Sequence, residues 1–340
     1  MSKLQIPSVS YKPFRYPWAV ERALEHEKAH WGEWEANLQD DVGQWKDGRI
    51  LPEEKEHITQ ILRLFTQSDV EVASNYLNVF IPMFKNNEIR AMLSSFAARE
   101  FIHQRSYALL NDTLGLDEHE YSAFLEYKDM KNKIEFMRTQ DCLTPESLAI
   151  ALAQTVCNEG MSLFSAFVML LNYQRSGKMK GMCEIVEWSI RDETMHVEGM
   201  TQLFLTFVQE TPGLDLENIK RIVKELYQEA VLLEDAVIDQ AYGECVQKSG
   251  LTKEDVKKYV RYLADRRLQQ LGLEPIYNVG SNPIDWLDWV VSGDSFKNFF
   301  EGRVTDYSAS GLKGDWGWAS FILNEVSDGR FTLRGKKYLV

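Results

Sequence analysis

Apolar side chains return at three- and four-residue intervals through most of this chain, and no strand-rich region stands out. The spacing predicts helices over residues 17–30, 52–80, 87–114, 118–136, 144–173, 178–209, 216–248 and 252–272. Pro52, followed by Glu53 and Glu54, suits a first helical turn, because proline has no N–H to leave unpaired there and acids favour the positive end of the helix dipole. Pro145 and Glu146, after Thr144, make the same signal. Beyond about residue 273 the period fades into Gly, Asn, Asp and aromatic residues, which predicts loops, a short helix around 283–291 and a tail. The fold class is therefore all-α. No linker rich in Pro, Gly and Ser divides the chain, so the expectation is one domain over residues 1–310 and a C-terminal tail over 311–340.

The longest apolar stretch, Leu148 to Leu171, could span a bilayer, which takes about 20 residues. Gln154, Asn158, Glu159 and three hydroxyl residues interrupt it and its flanks carry no basic bias, so it reads as a helix buried in protein, with no membrane partner. A formal charge of -13 and a pI near 5.1 oppose binding to phosphate backbones and remove nucleic acid from the expected partners. Cys142, Cys157, Cys183 and Cys245 show neither a zinc spacing nor a disulfide framework. The N-terminus lacks the apolar run of a secretory signal, and the expected compartment is the reducing cytoplasm.

Some acids fall on faces where acids are costly. Over 52–80 the apolar face is marked by Leu62, Phe65, Val72, Ala73, Tyr76, Leu77 and Phe80, and Asp69 lies on it, four residues after Phe65 and three before Val72. Glu71 points about 200° away at 100° per residue. Over 144–173 Glu159 is the only charged residue between Glu146 and Arg175, and Gly160 beside it permits a local bulge. Over 87–114 Glu100, His103 and Tyr107 continue the face of Leu93, Phe96 and Leu110. Glu193 and His196 share a face with Val186, Ser189, Ile190, Val197, Met200, Leu203, Phe204 and Phe207.

Two helices thus turn Glu-x-x-His inward and two turn a single acid inward. Asp69 precedes Glu100 by 31 residues and Glu159 precedes Glu193 by 34, which matches ligand heights across two antiparallel helix pairs. This is the ligand pattern of carboxylate-bridged dimetal bundles. Four carboxylates balance two divalent cations, neutral imidazoles complete the coordination, and this donor set suits iron or manganese. Glu27/His30 and Glu54/His57 have the same spacing, but their neighbours are charged and no matching acid accompanies them, so both read as solvated helix surface. Paired buried salt bridges would be the bland explanation of the inward acids, yet no inward Lys or Arg lies near Asp69 or Glu159 in sequence.

A dimetal bundle can store metal, oxidise an organic substrate or generate a radical, so Tyr107, one turn beyond His103, becomes informative. The segments TQSDVEV, AREFIHQRSYALL, LAQTVCNEG, IRDETMH and NFFEGRVTDY closely resemble the small, radical-generating subunit of class I ribonucleotide reductase over about residues 15 to 310. The resemblance implies a ferritin-like helical bundle with additional helices, and metal ligation by Asp69, Glu100, His103, Glu159, Glu193 and His196. It implies a diiron cofactor, or manganese or a mixed pair, that activates dioxygen and takes an electron and the phenolic proton from Tyr107. Phe167 and Leu163 are candidates for the apolar wall that protects the radical.

The same resemblance implies that the radical passes to a large catalytic subunit for deoxyribonucleotide synthesis, through a relay that includes Asp192 and Trp31, with His103 connecting to the metals. A homodimer is expected. The family's acidic docking tail with a relay tyrosine has no secure counterpart here: the chain ends RFTLRGKKYLV, and neither Tyr307 nor Tyr338 maps onto it. The spacing around Gly329, Gly335 and Lys336 does not make a phosphate loop, so no nucleotide site is expected there. The alternative is another dimetal-carboxylate oxidase or oxygenase acting on an organic substrate, with metal storage and a purely structural bundle ranked after it.

Overall fold

A computed structural model of the protein describes residues 2–138, 142–243, 250–287, 330–333 and 336–339. Eleven α-helices are formed by the described residues: α1 (Pro17–Lys28), α2 (Gln39–Lys46), α3 (Pro52–Asn75), α4 (Ile81–Met83), α5 (Asn87–Leu114), α6 (Lys128–Met137), α7 (Pro145–Cys157), α8 (Phe164–Leu171), α9 (Lys180–Glu210), α10 (Leu216–Tyr242) and α11 (Lys253–Gln270). α3 packs along α5, α7 along α9, and α5 against α9, which joins the two pairs through a shared core. α1 lies over α5, and α10 and α11 cover α7 and α8. The chain is all-α in class, and among the described residues no helix is long and apolar enough to cross a membrane.

The helix ends reflect their residues. Pro52 and Pro145 open α3 and α7, Asn86 caps α5 by accepting from the Ile89 N–H at 3.2 Å, and Gly115 ends α5 at φ 76°, a left-handed conformation that glycine adopts without strain. α2 is absent from the sequence reading, yet it sets the start of α9. Buried Asp41 accepts from the Gly181 and Met182 N–H groups at 3.2 and 2.7 Å, and Gln44 accepts from Met179 N–H at 2.9 Å.

Three helical expectations change in detail. The helix over 118–136 becomes two 3₁₀ turns, Glu118–Tyr121 and Ala123–Glu126, and then α6. Asp117 accepts from the His119 N–H and Ser122 donates to the His119 carbonyl, local bonds that compete with a regular helix. The helix over 52–80 widens into a π turn at Tyr76–Phe80, and Pro82, which has no N–H to give and crowds the preceding turn, accounts for it. The added residue shifts the helical phase within this turn, and Leu77, assigned to the apolar face, is 44 % exposed. The helix over 144–173 contains a second π turn, Asn158–Ser162, centred on Gly160.

One reading is overturned. Glu54 and His57 are not solvated: both are buried on the side of α3 that meets Tyr173 and Tyr242. Glu27 and His30 are exposed.

Contacts divide the chain into two units, Met1–Gly293 and Asp294–Val340. The described part of the second is an antiparallel hairpin of β1 (Arg330–Leu333) and β2 (Lys336–Leu339), with Arg330 opposite Leu339. The short helix expected around 283–291 is described only as the 3₁₀ turn Asp285–Leu287. Tyr307 and the stretch 298–307 lie outside the described residues, as does most of 311–340, while Tyr338 falls in β2.

Candidate metal centre

Four structural segments deliver the inward acids. α3 carries Asp69, α5 carries Glu100, His103 and Tyr107, the π turn between α7 and α8 carries Glu159, and α9 carries Asp192, Glu193 and His196. Trp31 sits in the loop after α1. None of these side chains is more than 2 % exposed. Carboxylates are rarely buried to this degree without a counter-charge.

The structure brings six of them into two overlapping groups. Asp69, Glu100, His103 and Glu193 form one, and Glu100, Glu159, Glu193 and His196 the other, with one donor atom from each residue within 4.8 Å of the rest. Glu100 and Glu193 belong to both. His103 Nδ1 lies 3.4 Å from Glu100 and 3.3 Å from Glu193. His196 Nδ1 lies 3.0 Å from Glu159, 3.1 Å from Glu100 and 3.4 Å from Glu193.

The donor set fits a metal pair on one observation above all. Asp69 Oδ2, both Glu100 oxygens and both Glu193 oxygens are buried without a properly oriented hydrogen-bond donor. Leaving such acceptors unmatched is costly, and a divalent cation placed among them is the partner that satisfies several at once. Electrostatics agrees. Burial pushes the Asp69 carboxyl well above its usual range and Glu159 up to about 8. Desolvation opposes charge on both imidazoles, but the carboxylates around them outweigh it and raise His103 and His196 well above the usual value. Protons on the imidazoles stand where cations would, and metal binding displaces them.

Asp192 is the hub beside this cluster. Its Oδ2 accepts from Trp31 Nε1 at 2.7 Å and from Arg99 at 2.9 Å, and lies 3.2 Å from His103 Nε2. Arg191 reaches Oδ1 at 3.3 Å. Burial works against the charge, but His103, Arg191 and Arg99 hold this carboxyl well below its usual range. The Trp31 ring stacks over His103 with centroids 5.9 Å apart. An acceptor on Nε2 turns Nδ1 of His103 towards the cluster.

Tyr107 donates its O–H to Ser189 Oγ at 3.1 Å. Burial, with Asp69 nearby, pushes its phenol well above the usual tyrosine value, so it stays protonated. Its ring stacks on Phe65 at 4.5 Å, and Phe65 stacks on Phe167 at 5.1 Å. Leu163 and Phe167 are both buried, with Phe65 between Phe167 and the phenol.

Several neighbours are absent from the sequence reading of the site. Tyr76 donates to Glu159 at 2.8 Å, and His26 Nε2 lies 3.1 Å from His196 Nε2 while its Nδ1 lies 2.8 Å from Ser95 Oγ. Tyr76 is visible in sequence only as one more apolar-face residue, but His26 has a signal: with Ala19 and Ala23 it occupies the buried face of α1 at intervals of four and three.

A helical bundle that gathers four carboxylates and two imidazoles with shared acids defines a protein of the dimetal-carboxylate class. The family model for the ribonucleotide reductase small chain matches residues 8–283. A probable ribonucleoside-diphosphate reductase small subunit of invertebrate iridescent virus 3 is 40 % identical, over 93 % of this chain and 88 % of the relative. The ribonucleoside-diphosphate reductase subunit beta of Chlamydia pneumoniae is 31 % identical, over 88 % of this chain and 90 % of the relative. Among solved structures, the ribonucleotide reductase R2 subunit of Clostridium botulinum shares the fold with a TM-score of 0.75 at 19 % identity, over 86 % of this chain and 99 % of that one. The dimanganese(II)-NrdF of Streptococcus sanguinis does so with a TM-score of 0.72 at 19 % identity, over 84 % of this chain and 98 % of that one. The chain belongs to the ribonucleotide reductase small-chain family, the radical-generating component of an oxidoreductase that works with a large subunit. Iron or manganese fills the dimetal site in this family.

Proposed function

We propose that Asp69, Glu100, His103 and Glu193 would hold one metal ion, that Glu100, Glu159, Glu193 and His196 would hold the second, and that Tyr107 is the side chain oxidised to the radical. The observation that carries the reading is the pair of overlapping groups sharing Glu100 and Glu193, whose buried oxygens lie 3.1–3.4 Å from the two imidazoles and lack an oriented hydrogen-bond donor. When bound, the metal pair supplies the oxidising power, using dioxygen. The chain's residues do the rest. Tyr107 keeps its proton until it is oxidised, because burial holds the phenol neutral. Ser189 fixes the direction of the O–H, and Phe65 and Phe167 keep water and reductants from the ring.

Trp31, Asp192 and His103 form the relay in this reading. Asp192 Oδ2 accepts the indole N–H and would steady the positive charge on Trp31 as it gives up an electron, and the stack of Trp31 on His103 would connect this path to the metals. The radical then reaches the large catalytic subunit, where ribonucleoside diphosphate is reduced. A homodimer in the cytoplasm is the expected working form. A diiron pair is the first choice, with manganese or a mixed pair compatible with the same oxygen and imidazole donors.

The test is anaerobic loading with Fe(II), then exposure to oxygen and electron paramagnetic resonance. The expected result is a tyrosyl signal in the wild type that Tyr107→Phe abolishes with metal content unchanged. A signal that survives Tyr107→Phe, or no signal with iron, manganese or both, sinks the assignment. Metal analysis of protein from its native host chooses among the metals.

A further inference from the structure

The turn that carries Glu159 is irregular, and two buried cations hold it from outside the four ligand-bearing segments. Over Asn158–Ser162 the helix widens, and Leu163 N–H bonds the Asn158 carbonyl at 3.2 Å, five residues back. A widened turn weakens the carbonyl ladder, and carbonyls loosened in a buried core need other donors. Arg267 of α11 donates from Nε to the Gly160 carbonyl at 2.9 Å. Lys133 of α6 donates from Nζ to the Ser162 carbonyl at 2.7 Å. Both side chains are buried, as is Glu234 of α10, which pairs with Lys133 at 2.9 Å and accepts from Ser165 Oγ at 2.6 Å.

Burying a cation carries a desolvation penalty, and apolar side chains of similar volume would fill the same space without it. The sequence is adapted to these cations in a second way. A Cβ on Gly160 would stand 2.6 Å from Arg267 Nε and 3.0 Å from Val197 Cγ2, so the guanidinium occupies the room that a side chain at 160 would need. Neither cation touches the carboxylate of Glu159; both hold the backbone on either side of it.

We propose that Arg267 and the Lys133–Glu234 pair are positioning residues that pin this π turn, and so fix Glu159 for the metal position it shares with His196. The proposal rests on Glu159 being a ligand. It gives α6, α10 and α11 a part in the metal centre, and it predicts an asymmetry, because Asp69 lies in regular α3, where the donor to its carbonyl is the neutral amide of Gln104 at 3.1 Å and not a buried cation.

The decisive variant is Lys133→Met combined with Glu234→Leu, which removes both buried charges and leaves no uncompensated ion. Gly160→Ala and Arg267→Met attack the other contact, and Arg267→Lys keeps a cationic donor. Chelator competition should show one metal equivalent weakened about 10- to 100-fold, the usual effect of losing a group that orients a ligand, and the other changed less than about twofold. With two equivalents of Mn(II), the wild type should give an exchange-coupled resonance spectrum and the variants the six-line pattern of isolated ions, with Arg267→Lys partly restored. Melting of the metal-free protein identifies variants that retain the fold. Folded variants that keep both affinities and the coupled spectrum, or lose both equivalents equally, overturn the proposal. If the wild type binds fewer than two ions, or Glu159→Ala still binds two, it is the ligand assignment that fails instead.

Discussion

Glu54-x-x-His57 and Glu100-x-x-His103 share a spacing and a buried setting, yet their physical states are opposite. Glu54 accepts from Lys178 Nζ at 2.6 Å and from the Leu51 N–H at 2.9 Å, which also caps α3, and His57 Nδ1 lies 2.9 Å from the Tyr173 hydroxyl. Glu100 has two buried oxygens without an oriented donor. The imidazoles diverge accordingly: burial drives His57 down to about 3, whereas the carboxylates around His103 overcome the same penalty and drive it up. Burial of an acid with a histidine therefore does not mark a metal site. The mark is negative charge in excess of what protein donors can satisfy.

The largest effect expected from this contrast comes from removing each glutamate. Glu100→Ala deletes a shared ligand, and metal affinity should fall more than about 100-fold at both positions, exceeding the loss typical of a supporting residue. The metal-free protein should lose stability as well, since the protonated His103 and His196 lose a counter-charge at 3.4 and 3.1 Å. Glu54→Ala should leave metal content intact and lower stability by about 1–3 kcal/mol through the lost cap and the unpaired Lys178. Calorimetric metal titration and urea unfolding on both variants check it; equal metal loss in the two would erase the distinction.

Asp192→Asn sharpens the contrast from the other side, because Asp192 is a buried acid with its donors supplied. The neutral isostere leaves Arg99 and Arg191 buried beside an amide, and breaking such an arrangement costs about 3–5 kcal/mol. His103 also exchanges an anionic acceptor for an amide that fixes its tautomer less firmly, which should weaken metal binding by about tenfold, far less than Glu100→Ala. Unfolding and chelator competition read the two effects separately. A stability loss without any change in affinity would show that Asp192 supports the fold alone.

The sequence made one side of this comparison legible and hid the other. Asp69, Glu100, Glu159 and Glu193 could be picked out because an acid within an apolar helical period is visible locally, and Gly160 pointed to the irregular turn. Their donors could not be picked out in the same way. Lys178 reaches Glu54 across 124 residues, Tyr76 reaches Glu159 across 83, and His26 meets His196 across 170, so no window of sequence contains both partners. Charged neighbours around Glu54 and His57 suggested solvent, but the face of α3 they occupy is set by α10 and Tyr173. α2 has few apolar positions, and its buried Asp41 works by capping α9 rather than by adding to the core.

The smallest predicted effect isolates His57. In the unfolded chain this imidazole titrates near 6.5, while in the folded protein burial lowers its pKa to about 3. Its folded-state pKa is depressed, so the unfolded state takes up a proton first as the pH falls. Stability is thus intact above about pH 6.5 and declines towards pH 3, with a slope that approaches about 1.4 kcal/mol per pH unit. Between pH 7 and 5 the loss attributable to His57 is about 2 kcal/mol. His57→Leu cannot take up that proton and should flatten the pH dependence of urea unfolding by this amount, whatever its stability at pH 7. An unchanged slope would mean that Tyr173 and its neighbours let His57 protonate in place, and the opposition between the two Glu-x-x-His pairs would lose its electrostatic basis.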